Sequence, residues 1–326
     1  MRRSTQGGLL LVVIILWVVF AISARSFLSS FNLFTLSRDV AVFTMTGFAQ
    51  MVVLATRQLN LAVGSIAGVA AICSGFLMQS AGVAVPLAVV SALALAGFLG
   101  WVNGFLVVRT GINSFIITLA MASVIFGAMV LITKAQAYNQ LPSAFTGLGK
   151  RGYGWVSILL LVTLVVTALL FLLFRDSLLG RYLLAVGANE RAARASGVPV
   201  ARVIQIAHAL SGLLAGLAGV MASAKLSSAI PSLGTDYVLP SFLAPILGGT
   251  LLSGGEVAVL GTLLGGILVE TITDGLNLLQ VNGFWVQLFQ GLILLAAVVL
   301  DRLRHVLISR ARLGEATTPN SGARSP

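Results

Sequence analysis

Long apolar runs dominate this chain, and one extended polar segment stands out among them: RDSLLGRYLLAVGANERAARASGVPVAR, from Arg175 to Arg202. That pattern leaves few folds open. In hydrocarbon a backbone must satisfy its own hydrogen bonds, so apolar runs of sufficient length cross as helices. The runs suit lipid. The segment suits water, and a membrane chain that keeps such an element offers it to something in the aqueous phase.

Charge depletion supports the same conclusion. Only 9% of residues are charged and 58% are hydrophobic, against about 25% charged in soluble domains. Too little polar surface remains to cover a water-soluble globule. The 35 glycines suit helices whose backbones approach closely in a bilayer. The net charge of +11 does not indicate nucleic-acid binding. Basic residues gather beside apolar spans, mainly after Leu173 and after Leu300, as cytoplasmic loops do. Cys73 is the single cysteine, which excludes an internal disulfide and a cysteine metal cluster. His208 and His305 stand apart, so no metal site is expected.

A crossing needs about 20 apolar residues. Candidate spans are 8–24, 40–56, 61–80, 84–108, 112–133, 156–174, 203–223, 237–252, 256–273 and 284–300, several of them short or rich in Gly and Pro. The expected fold is an all-α polytopic membrane protein of about ten transmembrane helices, some short or discontinuous. MRRSTQGG before the first apolar run reads as the start of a retained helix rather than a cleaved signal. With the N-terminus in the cytoplasm, only Arg25, Arg38, Lys134, Lys150, Arg151 and Lys225 of the 20 basic residues fall outside. That asymmetry places both termini and the 175–202 segment inside. The membrane domain is expected to cover 1–310, with 311–326 a disordered cytoplasmic tail.

Three passages carry candidate chemistry. In the inner loop, Asn189 is placed to cap a short helix of Glu190, Arg191, Ala192, Ala193 and Arg194, with Gly197 and Pro199 ending it. Such a helix is unstable alone; it reads as a docking element or as an ordinary interfacial helix. The second passage, Arg57-Gln58-Leu59-Asn60 through Gly64 and Ser65, reads as a helix break bordering a polar route, or as a tight surface turn. The third, Gly248, Gly249 and Thr250 through Gly255, superficially resembles a phosphate loop but lacks its lysine and its strand–helix setting. A re-entrant or discontinuous helix fits it better. Asn103, Asn113, Ser114 and Thr118, with Gln205, His208, Asn277, Glu270 and Asp274, are polar groups inside apolar spans, and such groups face a bundle interior. Trp101, Phe105 and Phe115 are expected to join Asn103 and Ser114 in an aromatic–amide surface suited to a sugar. No acid–base set accompanies Glu270 and Asp274, so no catalysis is expected.

The chain resembles the membrane permease subunits of bacterial ATP-driven sugar importers, of the ribose/xylose/galactoside class. Asn60-Leu61-Ala62-Val63-Gly64-Ser65 resembles that family's D-L-S-V-G-S stretch. Leu179 through Gly197 resembles its cytoplasmic coupling segment, and Leu247 through Gly265 its distal glycine passage. The resemblance implies a bacterial inner-membrane protein, paired with a second permease subunit as a homodimer or heterodimer. It also implies an ATP-binding cassette ATPase, which uses ATP and Mg, and a periplasmic substrate-binding protein; this chain itself would bind no cofactor. Glu190 through Gly197 would contact the ATPase. One departure stands out: the family commonly has Gly-Gly-Ile-Asp where this chain has Arg57-Gln58-Leu59-Asn60. The rival reading is a cation- or proton-coupled secondary transporter using Glu270, Asp274 or His208 as a relay. Within the ATP-driven reading, a branched amino acid, a nucleoside and a signalling sugar stand as alternative cargoes.

Overall fold

The computed structural model describes residues 2–292, together with 295 and 299. Its helices are α1 (Arg2–Ser23), α2 (Ser30–Ala55), α3 (Val63–Gln79), α4 (Val85–Thr110), α5 (Ser114–Thr133) and α6 (Ser143–Lys150), then α7 (Ile158–Asp176), α8 (Leu178–Ala188), α9 (Glu190–Ala195), α10 (Val200–Leu226), α11 (Val238–Leu247) and α12 (Val259–Leu278). A ribbon of β1 (Gly152–Tyr153) and β2 (Val156–Ser157) closes the loop before α7. Residues 283–292 are again helical. The expected tail, 311–326, and His305 lie outside the described residues.

Among the described residues six helices, α2, α4, α5, α7, α10 and α12, are long and apolar enough to cross a membrane. The protein is therefore an all-α, multi-pass membrane protein. α3 is shorter, and α11 is a half-length helix of 10 residues with Pro245 inside it. The expected span 237–252 thus stops midway, and its second half is the Gly248–Gly255 loop.

α2 and α10 form the centre. α2 is buried on every side and carries Thr44, Thr46 and Gln50 into the interior. α10 packs on α2, α3 and α4. Its seam with α4 is closed by glycines. A Cβ on Gly100 would stand 2.2 Å from the His208 carbonyl oxygen, and one on Gly212 would stand 2.3 Å from that of Ala96. Backbone-to-backbone contact of this kind is how helices associate where lipid removes the hydrophobic drive between them. α5 and α7 turn Leu119, Val124, Leu131, Ile132, Val165 and Leu169 outward, an apolar surface that matches acyl chains.

Candidate functional site

α9 has only six residues, and its ends hold it. The Asn189 side chain accepts from the Ala192 N–H at 3.0 Å. At the other end the Val198 N–H reaches the Ala193 carbonyl at 3.0 Å and the Gly197 N–H reaches that of Arg194 at 3.1 Å. This paired closure requires a left-handed residue after the helix, and Gly197 supplies it at φ +81°. Ala193 faces inward, while Glu190, Arg191, Ala192 and Arg194 are exposed. Glu190 pairs with Arg194 at 3.0 Å. An exposed pair of this spacing contributes only about 0.3–0.5 kcal/mol, so the exposed face is not explained by stability.

The stretch before α9 is also ordered. Ser177 ends α7 and caps α8, accepting from the Gly180 N–H at 2.9 Å. The sequence reading does not anticipate α8; within the polar segment Leu178–Ala188 is mostly apolar around Arg181 and Tyr182, and the helix sinks Leu183 and Val186 into the bundle.

Beneath α9 the three passages meet. A Cβ on Gly187 would stand 1.9 Å from the Ala55 carbonyl oxygen and 2.5 Å from the Gly255 nitrogen. The Gly255 N–H donates to that same Ala55 carbonyl at 3.1 Å. A Cβ on Gly255 would lie 2.8 Å from the Ala188 Cα, and one on Gly254 would lie 2.7 Å from the Arg57 Cβ. The end of α2, the end of α8 and the distal glycine loop therefore share one junction with no room for side chains. Gly187 and Gly255 make it possible; the sequence marks them only as small residues.

The break between α2 and α3 is held by side chains from α5 and α10. Asn60 donates to Ser211 Oγ at 2.9 Å and accepts from the Ala62 N–H at 3.0 Å. Ser114 Oγ accepts from the Leu59 N–H at 3.0 Å. Thr118 Oγ1 accepts from the Leu61 N–H at 3.0 Å and donates to the Ser114 carbonyl at 2.6 Å. Ser65 donates to the Ala122 carbonyl at 2.9 Å. Irregular backbone at membrane depth needs such partners. Gly64 seats this end of α3 against the Gly234 carbonyl oxygen, 2.1 Å from where its Cβ would be. The distal loop is tied similarly: Thr250 Oγ1 accepts from the Ala258 N–H at 3.1 Å, Gly249 is left-handed at φ +91°, and Gly248 touches the backbone of Gly261.

A cleft of about 840 Å³ opens beside α9, lined among others by Arg57, Gln58, Asn113, Ser114, Glu190, Arg191 and Arg194. Asn113 caps α5 at its edge, accepting from the Phe115 N–H at 2.8 Å. Asn103 is not there. It is buried in α4, and neither end of its amide finds a partner among the described residues; the same holds for both nitrogens of His208. The aromatic–amide surface does not form. Trp101 and Phe105, four apart and so on one face, stack on each other at 5.5 Å on the outer side of α4, whereas Asn103, two residues from each, points away from them. Asp274 is engaged by the Asn32 amide at 2.7 Å. Glu270 interacts electrostatically with Lys225, which pairs with Asp39.

Long apolar helices, a capped helix exposed beside them and a glycine junction joining the two define a multi-pass membrane protein with one exposed element tied by backbone contact to its helix breaks. Residues 32–298 match the family described as branched-chain amino acid transport system / permease component, and the chain belongs to that family. It is 33% identical over 298 residues to the ribose import permease protein RbsC of Bacillus subtilis, covering 90% of this chain and 92% of that protein. It is 31% identical to the L-arabinose ABC transporter permease protein AraH of Azospirillum brasilense (92% and 88% covered). The D-allose transport system permease protein AlsC of Escherichia coli is 29% identical, with 91% of each chain covered.

Proposed function

We propose that this chain is the membrane-spanning permease subunit of an ATP-driven importer of a monosaccharide, a ribose-like pentose or a related sugar. Relatives named for ribose, arabinose and allose import support the cargo class. The mechanical reading is carried by the junction of Ala55, Gly187 and Gly255 beneath α9. In this reading α9 faces the cytoplasm of a bacterial cell and docks on an ATP-binding cassette ATPase. That ATPase binds the ATP and Mg; a periplasmic protein delivers sugar, and a second permease subunit completes the membrane part. Both termini are cytoplasmic, and the membrane domain extends to about residue 310.

ATP binding draws the ATPase subunits together and displaces α9. Because α8 meets α2 and the distal loop by backbone contact, a push on α9 reaches both helix breaks without side chains yielding in between. The breaks are where the helices can bend. Gln58, Asn60, Gly64, Ser65, Asn113, Ser114, Thr118, Gly248, Gly249 and Thr250 border the route, and Asn103, enclosed within α4, stands back from it. The permease makes and breaks no covalent bond; it changes which face of the bundle is open.

Substituting Glu190→Lys or Gly197→Val in the assembled importer tests this in membrane vesicles. Uptake and sugar-stimulated ATP hydrolysis should both fall, while the binding protein still captures sugar. Uptake at the wild-type rate in both variants would remove α9 from the mechanism.

A further inference from the structure

Arg57 sits where a glycine is expected. α2 closes with the Gln58 N–H on the Val53 carbonyl at 3.1 Å and the Arg57 N–H on that of Leu54 at 2.9 Å. This is the same paired closure that ends α9, and its left-handed position falls on Arg57, at φ +61°. A side chain there costs roughly 1–2 kcal/mol over glycine. Strain of this kind persists only where the surrounding structure holds it; Lys134, Ala135, Ser227 and Gln280 are also left-handed, and Arg57 differs from them in bordering the cleft beside α9. The Arg57 backbone is pinned by Gly254, itself left-handed at φ +78°, while the residue as a whole is exposed. It borders the cleft of about 840 Å³ beside α9, whose charged lining residues are Arg57, Arg191, Arg194 and Glu190. Three guanidinium groups against one carboxylate make the cleft cationic. Val107, Val108 and Ile204 give it apolar walls.

We propose that Arg57 and this cleft receive an acidic segment of the ATPase subunit, a second contact beside the one α9 makes. The proposal rests on the importer reading above. It gives the strained position a role: Arg57 is held against Gly254 where the end of α2 meets the distal loop, so a partner carboxylate bound there pulls directly on both breaks. α9 receives a push, and Arg57 supplies a grip for the return stroke.

The test uses the complete complex purified from membranes with wild-type permease, Arg57→Gly, Arg57→Glu and, as reference, Glu190→Lys. Arg57→Gly suits the backbone, so the permease should unfold at a higher temperature. Its retention of the ATPase should nonetheless fall about tenfold, equivalent to about 1.4 kcal/mol, and sugar-stimulated hydrolysis should fall with it. Arg57→Glu should lose more, and added salt should erase the difference between wild type and variants. Wild-type retention and stimulated hydrolysis in both Arg57 variants overturns the proposal. So does a change in uptake alone, with retention and hydrolysis intact, which would leave the cleft to the solute route and remove the ATPase contact. Loss of retention in Glu190→Lys but not at Arg57 rejects this contact and leaves the importer reading standing. A wild-type permease that retains no ATPase rejects the importer reading itself.

Discussion

Asn60 shows how one side chain holds a helix break in a membrane. Its amide both donates to Ser211 and accepts from the Ala62 N–H. Asn60→Ala leaves the Ala62 N–H and the Ser211 hydroxyl without those partners, at about 1–3 kcal/mol per buried group. The expected result is a clear drop in the melting temperature of the detergent-solubilised permease. Asn60→Asp should cost less. A carboxylate still accepts from the Ala62 N–H, and the Ser211 hydroxyl can turn to donate. The aspartate of the related D-L-S-V-G-S stretch therefore fits the same network. Equal losses in the two variants would mean that the break is held by something other than this pair. The residues of this network were legible in the sequence as polar groups between apolar runs. Their role was not, because a sequence does not say whether a hydroxyl faces a solute or a stranded N–H. Asn103 is the converse. Its polarity suggests a lining position, yet it is buried in α4 with neither end of its amide partnered among the described residues.

At the scale of elements, α9 was the most legible part. Asn, a short charged run, Gly and Pro at those spacings specify a capped helix, and the hydrogen bonds follow that grammar. α8 was illegible for a physical reason: it buries one face only, and in sequence its Arg181 and Tyr182 read as a polar loop. α11 was half legible: hydropathy extends the span to 252, while the glycines from Gly248 onward mark the discontinuity at which the helix ends. Asn189→Ala tests how far α9 depends on its own cap. The loss should be about 1 kcal/mol, confined to six residues that cannot stay helical alone. Global melting should change little. Hydrogen exchange across 190–198 should rise, and sugar-stimulated hydrolysis should fall. Unchanged exchange would mean that packing of Ala193 and the closure at Gly197 suffice without the cap.

For the whole molecule the choice is between a motor outside the chain and a gradient-driven relay within it. A relay needs its titratable groups in reach of one another. Glu270 lies near Lys225 at the far end of α10, whereas His208 is in the half of α10 that begins beside α9. At about 1.5 Å per residue the separation along that helix is roughly 25 Å. Asp274 is occupied by Asn32. Glu270 and Asp274 share one stretch of α12, and His208 stands apart from them in the glycine seam of α4 and α10. The motion-carrying parts, by contrast, are contiguous: α9, α8, the end of α2 and the distal loop touch in sequence. Vesicles carrying the complete importer should therefore accumulate ribose when ATP is supplied and ion gradients have been collapsed by ionophores. They should stop when the ATPase cannot hydrolyse ATP. Accumulation driven by a proton or sodium gradient without ATP would overturn the importer reading and favour the relay.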